Sequence, residues 1–304
     1  MPPMTPVHAG ETAALAASVL WAFTAIFFTQ AGARIGSVNV NRIRLVIAVV
    51  LLGLSHWFVS GSPLPLHAGG ARWLWLGLSG LVGLVIGDSF LFQSYLDLGP
   101  RKASLVFASW PIISSFLAWL LLDEVLTGLE IGAIVLTVGS ISWVVRERQI
   151  QPQKSGGAVH PVRGLFFALG GAAGQALGVV LAKKGLEGNF SPLTGTLIRM
   201  IVAAGGIWLL SALRGRLIRT LNRVWDARGL GFTFLGAVAG PFLGVWMSLI
   251  AVSHAKVGIA SALMTLAPVW LLPMVWLIYR EKLSWRAVIG TLFAMIGVWG
   301  LFMF

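Results

Sequence analysis

The 304-residue sequence contains no cysteine and little charge. The absence of cysteine excludes disulfides, thiolate metal sites and a cysteine nucleophile. Charged residues make up only 11% of the chain, whereas a soluble domain carries about 25%. Because 57% of the residues are hydrophobic, a water-soluble fold cannot hide the apolar surface, and the composition indicates a membrane protein.

Acidic residues are also scarce, at ten against 22 lysines and arginines, which gives a net charge of +12. The basic residues lie at the ends of apolar runs and do not form one stripe with interleaved aromatics. This distribution is typical of membrane-flanking charge, so we expect no nucleic-acid partner. No HExxH, P-loop or paired-aspartate motif is present, and we predict no metal site and no cofactor.

Long apolar runs are abundant, and a membrane helix needs about 20 mostly apolar residues. The runs predict an all-α membrane protein with ten transmembrane helices. The predicted spans are 12–30, 40–60, 73–96, 103–122, 128–146, 163–184, 193–213, 229–252, 258–279 and 286–304.

The two halves of the chain repeat each other. PIISSFLAWLLLDEVLT, which starts at Pro111, aligns with PVWLLPMVWLIYREKLS, which starts at Pro268, so Glu124 matches Glu281. Each half has five spans, an odd number, so the second half enters the membrane from the opposite side. We therefore predict two inverted five-helix repeats, residues 1–150 and 151–304.

The basic residues also predict the orientation. Sixteen lysines and arginines lie in the loops after the odd-numbered spans and four lie in the other loops. Cytoplasmic loops are enriched in lysine and arginine. The bias predicts a multi-pass protein of the cell (inner) membrane with both termini outside.

The sequence resembles the EamA family of the drug/metabolite transporter superfamily in three features. They are the inverted halves, a proline in spans four and nine, and a Glu-x-Leu-Ser/Thr ending after each of these spans. The endings are 124–127, EVLT, and 281–284, EKLS, and GDSFLFQSYLDLGPRKAS at 87–104 is similar as well. The resemblance implies a secondary transporter of a small organic solute, acting by alternating access as a monomer or homodimer. Family members move amino acids, sugars, nucleotides and drugs, and they are often drawn with both termini inside.

The resemblance also implies a cavity built by spans 1, 3, 4, 6, 8 and 9. Carried onto this chain, it gives the substrate-binding residues Trp21, Asp88, Ser109, Trp110, Gln175, Trp246 and Thr265. Such a cavity suits an amino acid or related metabolite, exported in exchange for protons.

Asp88 is the clearest deep charge, because it follows Trp73 by 15 residues, or about 22 Å of helix. We expect it either to couple transport to protons or bind a substrate amine, or instead to make a structural hydrogen bond to Ser89 or a neighbouring helix. The matching position in the second half is Val245.

Arg44 and Arg199 match each other in the repeat and lie one or two turns into their spans. Their position favours side chains that snorkel to the headgroups, and the alternative is capture of a substrate carboxylate. Glu11 is expected to open the first helix, where its charge suits the helix dipole. The alternative is a proton-exchanging glutamate, which some small relatives in the superfamily keep within helix 1.

Glu124 and Glu281 end spans four and nine on opposite faces, which predicts one gate on each side. The candidate cationic partners of Glu124 are Lys183, Lys184 and Lys256. Those of Glu281 are Arg34, Arg101 and Arg228. The alternative is turn chemistry, since Thr127-Gly-Leu-Glu130 is a capping-box pattern.

Single features of the sequence also fit two other function classes. Gly77-Leu78-Ser79-Gly80 matches the nucleophile motif of intramembrane serine proteases, with His254 as a candidate base, but a four-residue motif has a high false-positive rate. A channel would be expected to show a ring of like charges around its pore, which the sequence does not display. A facilitator without coupling is the other alternative. We predict a transporter and not an enzyme.

Overall fold

The structure is a computed structural model that describes residues 6–98, 100–147, 161–213, 215, 226–279 and 285–303. No strand occurs among these residues. Ten of their helical segments are long and apolar enough to cross a membrane. The predicted all-α membrane fold is confirmed.

Each half supplies five of these helices, and every one overlaps its predicted span. The first five are α1 (Pro6–Ile35), α2 (Ser37–Ser60), α3 (Gly70–Asp97), α4 (Pro100–Phe107 and Trp110–Leu122) and α5 (Gly128–Glu147). The second five are α6 (Pro161–Leu186), α7 (Pro192–Leu213), α8 (Ala227–His254), α9 (Val257–Met264 and Ala267–Tyr279) and α10 (Trp285–Met303).

Both α4 and α9 are interrupted just before a proline. The α-helical hydrogen bonding of α4 breaks at 108–109, ahead of Pro111, and that of α9 breaks at 265–266, ahead of Pro268. Proline has no N–H to donate and its ring crowds the preceding turn. The breaks lie at matching places in the two repeats, whereas Pro273 lies inside a continuous helical segment.

A second matched irregularity lies in α3 and α8. Residues Gly80–Gly87 of α3 and Val238–Gly244 of α8 are π-helical. The two segments correspond in the repeat, where Gly87 matches Gly244. Such wider turns often mark functional sites, and the one in α3 ends directly before Asp88. The sequence pattern did not predict them.

The π-helical part of α3 crosses α6 at very short distance. A Cβ added to Gly174 would lie 2.8 Å from the Cα of Gly87, and one added to Gly178 would lie 2.9 Å from the Cα of Gly83. Only glycine fits at such a crossing, because the two backbones touch directly. The contact fixes α3 against the first helix of the other repeat.

The largest buried cluster joins both repeats. It includes Leu45 of α2, Leu76 of α3, Leu197 of α7 and Leu263 of α9, all fully buried. Many large apolar side chains on the outside are exposed, as the lipid-facing surface of a membrane protein requires. The core therefore lies between the halves, where the polar site described below is also found.

Candidate functional site

Asp88 is paired with Arg44, across from α3 to α2. A terminal nitrogen of Arg44 donates to Oδ2 of Asp88, while Arg44 Nε donates to Asn41 Oδ1 at 2.7 Å. The side chains of Arg44 and Asp88 are only 13% and 18% exposed. The expectation that Arg44 snorkels to the headgroups is therefore wrong. The expectation that Asp88 bonds to a neighbouring helix is confirmed, because Arg44 belongs to α2. Ser89 instead donates to the Val85 carbonyl.

Arg199 is more deeply buried than Arg44. The residue is 2% exposed, and its Nε has no hydrogen-bond partner. A Cβ added to Gly83 would lie 3.6 Å from an Arg199 terminal nitrogen, so the guanidinium rests against the backbone of α3. It interacts electrostatically with Asp88. Snorkelling to the headgroups is thus also wrong for Arg199, which points into the protein.

The two arginines approach Asp88 from opposite ends of the membrane. Arg44 lies in the second turn of α2 and Arg199 in the second turn of α7, and these helices start on opposite faces because the repeat is inverted. Asn41, one turn before Arg44, was not singled out from the sequence. Its spacing of three residues from Arg44 is the signal that indicates the contact.

Gln175 and Trp21 lie at helix crossings. A Cβ on Gly87 would lie 3.3 Å from the backbone nitrogen of Gln175, so Gln175 is a neighbour of the residue before Asp88. The indole of Trp21 lies against Gly244, 2.7 Å from the place of a Cβ there. Trp246 is half-buried, with its ring centroid 6.2 Å from that of Phe242.

Ser109, Trp110 and Thr265 lie at the two helix breaks. The hydroxyl of Ser109 donates to the Val106 carbonyl at 2.7 Å, and that of Thr265 donates to the Ser261 carbonyl at 2.8 Å. Both hydroxyls bond their own helix, the structural alternative for such positions. Trp110 is 2% exposed in the core.

Glu124 joins three helices on one face of the membrane, which we call the Glu124 face. Its Oε2 accepts the Val257 N–H at the start of α9, at 2.7 Å. Its Oε1 lies 2.5 Å from Nζ of Lys183 at the end of α6, as a charge contact without an aligned hydrogen bond. Lys183 directs its hydrogen bond to the Ala255 carbonyl at 2.7 Å. Lys183 was among the predicted partners of Glu124.

A second ion pair lies next to it. Lys256 donates to both carboxylate oxygens of Glu130, at 2.7 and 2.8 Å. Glu130 also accepts the Thr127 N–H at 2.6 Å, and Thr127 Oγ1 accepts the Glu130 N–H at 3.2 Å. The predicted capping box is confirmed, whereas Lys256 as a partner of Glu124 is wrong, because the lysine reaches the neighbouring acid.

Other ion pairs hold the opposite face. Arg34 at the end of α1 lies 3.1 Å from Asp226, which caps α8 by accepting the Gly229 N–H at 2.8 Å. That backbone hydrogen bond, together with Arg34, lowers the pKa of the Asp226 carboxyl. Glu281 lies outside the described residues. Arg34, one of its candidate partners, is paired with Asp226.

Three remaining candidates have other surroundings than expected. α1 begins at Pro6, so Glu11 lies inside the helix, where it is 8% exposed with one carboxylate oxygen unpartnered. The expectation that Glu11 opens the helix is wrong. Ser79 is fully buried and donates to the Gly178 carbonyl. His254 contacts Ser253 and its own helix, so neither group of the protease hypothesis is partnered with the other.

The described part of the chain contains no group of three His, Asp or Glu side chains that could hold a metal ion. Its polar groups instead form helix-to-helix pairs. Three of the ion pairs, Lys183–Glu124, Lys256–Glu130 and Arg34–Asp226, join the two repeats, whereas Arg44 and Asp88 pair within the first repeat.

Comparison with known proteins agrees with this architecture. The model of the EamA-like transporter family matches residues 8–146 and again 162–303. A solved crystal structure, described only as that of a protein, shares the fold with a TM-score of 0.76 at 17% sequence identity, covering 96% of this chain and 95% of its own. No curated protein matches significantly.

Two matches of one family model, in tandem, correspond to the two five-helix halves seen in the helices and in the sequence repeat. Together they cover nearly all of the chain. The protein therefore belongs to the EamA-like transporter family.

Proposed function

We propose that the protein moves an amino acid or a related small metabolite out of the cell in exchange for protons, by alternating access between its two repeats. Family membership supports a transporter of the drug/metabolite type. The observation that carries the finer proposal is the partly buried pair of Arg44 and Asp88 within the membrane-spanning helices. Charges at such depth are costly and are usually retained for function.

Asp88 is the proposed coupling residue. A proton on its carboxylate would remove its charge and hence its attraction to Arg44, so proton binding and an ion-pair rearrangement occur at the same residue. Among the described residues, Arg199 and the Tyr95 hydroxyl, which also lies beside Ser104, interact electrostatically with Asp88 as well. Trp21, Ser109, Trp110, Gln175, Trp246 and Thr265 are the proposed substrate contacts, and Glu124 and Glu281 the proposed gates.

We further propose that the protein resides in the cell (inner) membrane with both termini outside, as the charge bias predicts. The Glu124 face is then the outer face. The repeats are assigned to 1–150 and 151–304, and the protein acts as a monomer or homodimer.

The test is transport in proteoliposomes with an imposed pH gradient and a panel of radiolabelled amino acids. Asp88→Asn should abolish pH-driven uptake, because no proton can bind at residue 88. Glu11→Gln is the matched control, since Glu11 is also a buried acid within a span, and it should retain pH-driven uptake.

Unchanged pH dependence in the Asp88→Asn protein would make Asp88 structural. Loss of coupling in the Glu11→Gln protein alone would move the proton site to α1. Circular dichroism and size-exclusion chromatography of both variants would show whether they are folded.

A further inference from the structure

The cluster around Asp88 has one positive charge too many. Arg44 and Arg199 bring two guanidinium groups, which stay protonated in proteins, and Asp88 brings one carboxylate. Asp88 accepts a hydrogen bond from the guanidinium of Arg44, whereas Arg199 Nε has no hydrogen-bond partner. An uncompensated buried charge strongly destabilises a protein, so the cluster lacks an anion.

The repeat indicates where that anion belongs. In the first half, Arg44 of α2 is paired with Asp88 of α3. In the second half, Arg199 of α7 matches Arg44, but Val245 stands where the acid would be. α7 packs against the part of α8 that carries Val245. The second repeat has the arginine without the matching carboxylate.

We propose that Arg199 binds the carboxylate of the transported solute, which takes the place of the missing acid. This inference rests on the proposed transport function and names the chemical group that the site recognises. The planar fork of a guanidinium matches a carboxylate with two parallel hydrogen bonds. The solute is a small monocarboxylate, either a simple organic acid or an amino acid, whose ammonium group could then face Asp88.

The test measures binding without any gradient, so its result does not depend on proton coupling. Purified protein is heated with sodium propionate, with propionamide, its neutral analogue, or with L-alanine, at an ionic strength matched with sodium chloride. A ligand that binds the native state raises its melting temperature. Propionate should bind about tenfold or more tightly than propionamide, the size expected for a charge-assisted contact. L-alanine binding more tightly than propionate would identify an amino acid as the source.

Three variants make the assignment specific. Arg199→Gln should abolish the preference for propionate, and Arg199→Lys should retain part of it. Asp88→Asn should increase propionate affinity severalfold, because it removes the fixed carboxylate that competes for the guanidinium groups. The last result is opposite to that expected for general damage.

If Arg199→Gln does not fold, Val245→Asp tests the same point by giving Arg199 a fixed carboxylate. It should remove the propionate effect, whereas Val245→Asn should keep it. Equal stabilisation by propionate and propionamide in the parent protein would overturn the proposal. So would a propionate effect that survives in either Arg199→Gln or Val245→Asp.

Discussion

Replacing Glu124 by glutamine should open the Glu124 face. The glutamine carbonyl can still accept the Val257 N–H, so the substitution removes mainly the charge contact with Lys183 at 2.5 Å. The two side chains are 12% and 24% exposed. Exposed pairs contribute about 0–1 kcal/mol and breaking buried ones costs about 3–5 kcal/mol. For this partly buried pair we expect a free-energy loss between those two ranges, about 2 kcal/mol. A loss of that size changes the ratio of open to closed protein about 30-fold.

The assay uses the absence of cysteine from the chain. A single cysteine is placed at Thr265, which is 8% exposed at the break in α9. A membrane-impermeant maleimide is then added from the Glu124 face. Glu124→Gln should raise the labelling rate by up to the 30-fold population shift. Glu187→Gln, the same change at an exposed residue after α6, is the control and should leave the rate unchanged.

An unchanged labelling rate in the Glu124→Gln protein would refute the gate and leave Glu124 as a helix-end contact. An equal rise in the Glu187→Gln control would assign the effect to surface charge. A second reporter cysteine at Ser109, beside the break in α4, guards against a local effect at α9.

Three further predictions concern stability and topology. Lys256→Gln should lower the free energy of unfolding by about 1–2 kcal/mol in a denaturant titration, because the buried Glu130, only 3% exposed, loses its cation. An unchanged free energy of unfolding would show that the capping box alone satisfies Glu130. Asp226→Asn should lower stability at neutral pH only, because the asparagine still caps α8 and only the charge is lost. Since the pKa of Asp226 is lowered in the folded protein, its charge stabilises the fold above the ordinary carboxyl pKa, and this contribution is lost as pH falls through the lowered value. The melting temperatures of the two proteins should therefore converge in acid. Alkaline phosphatase fused after Phe304 should be active, and a fluorescent cytoplasmic reporter there would contradict the orientation.

Much of the fold could be predicted because its signals are local. The length of each apolar run predicts the spans, and Pro111 and Pro268 determine where α4 and α9 break. The capping box from Thr127 to Glu130 is likewise a short-range pattern. These features depend on residues within a turn or two of each other, which the sequence displays directly.

The π-helical turns and the charge partners could not be predicted in the same way. A π-helical turn shifts the hydrogen-bond register, and in α3 it accompanies the close contact with α6, a tertiary feature. Lys256 had two acids within its reach on the same face, and only the packing of α5 against α9 decides for Glu130. Arg44 and Arg199 were expected at the headgroups because depth along a helix does not reveal which way a side chain turns.

The repeat is symmetric in its helices and asymmetric in its charges, and this difference bears on how alternating access would be biased. If the halves were identical, closing one face or the other would cost the same free energy. Glu124 has a counterpart in Glu281, but Glu130 and Lys183 match Val288 and Thr29, which carry no charge. The pairs of Glu124 with Lys183 and of Glu130 with Lys256 join helices at the Glu124 face, whereas Arg34 and Asp226 join helices at the opposite face. Because different ion pairs join the two faces, we expect the free energies of opening them to differ, and a proton or solute bound between the repeats would have to supply that difference.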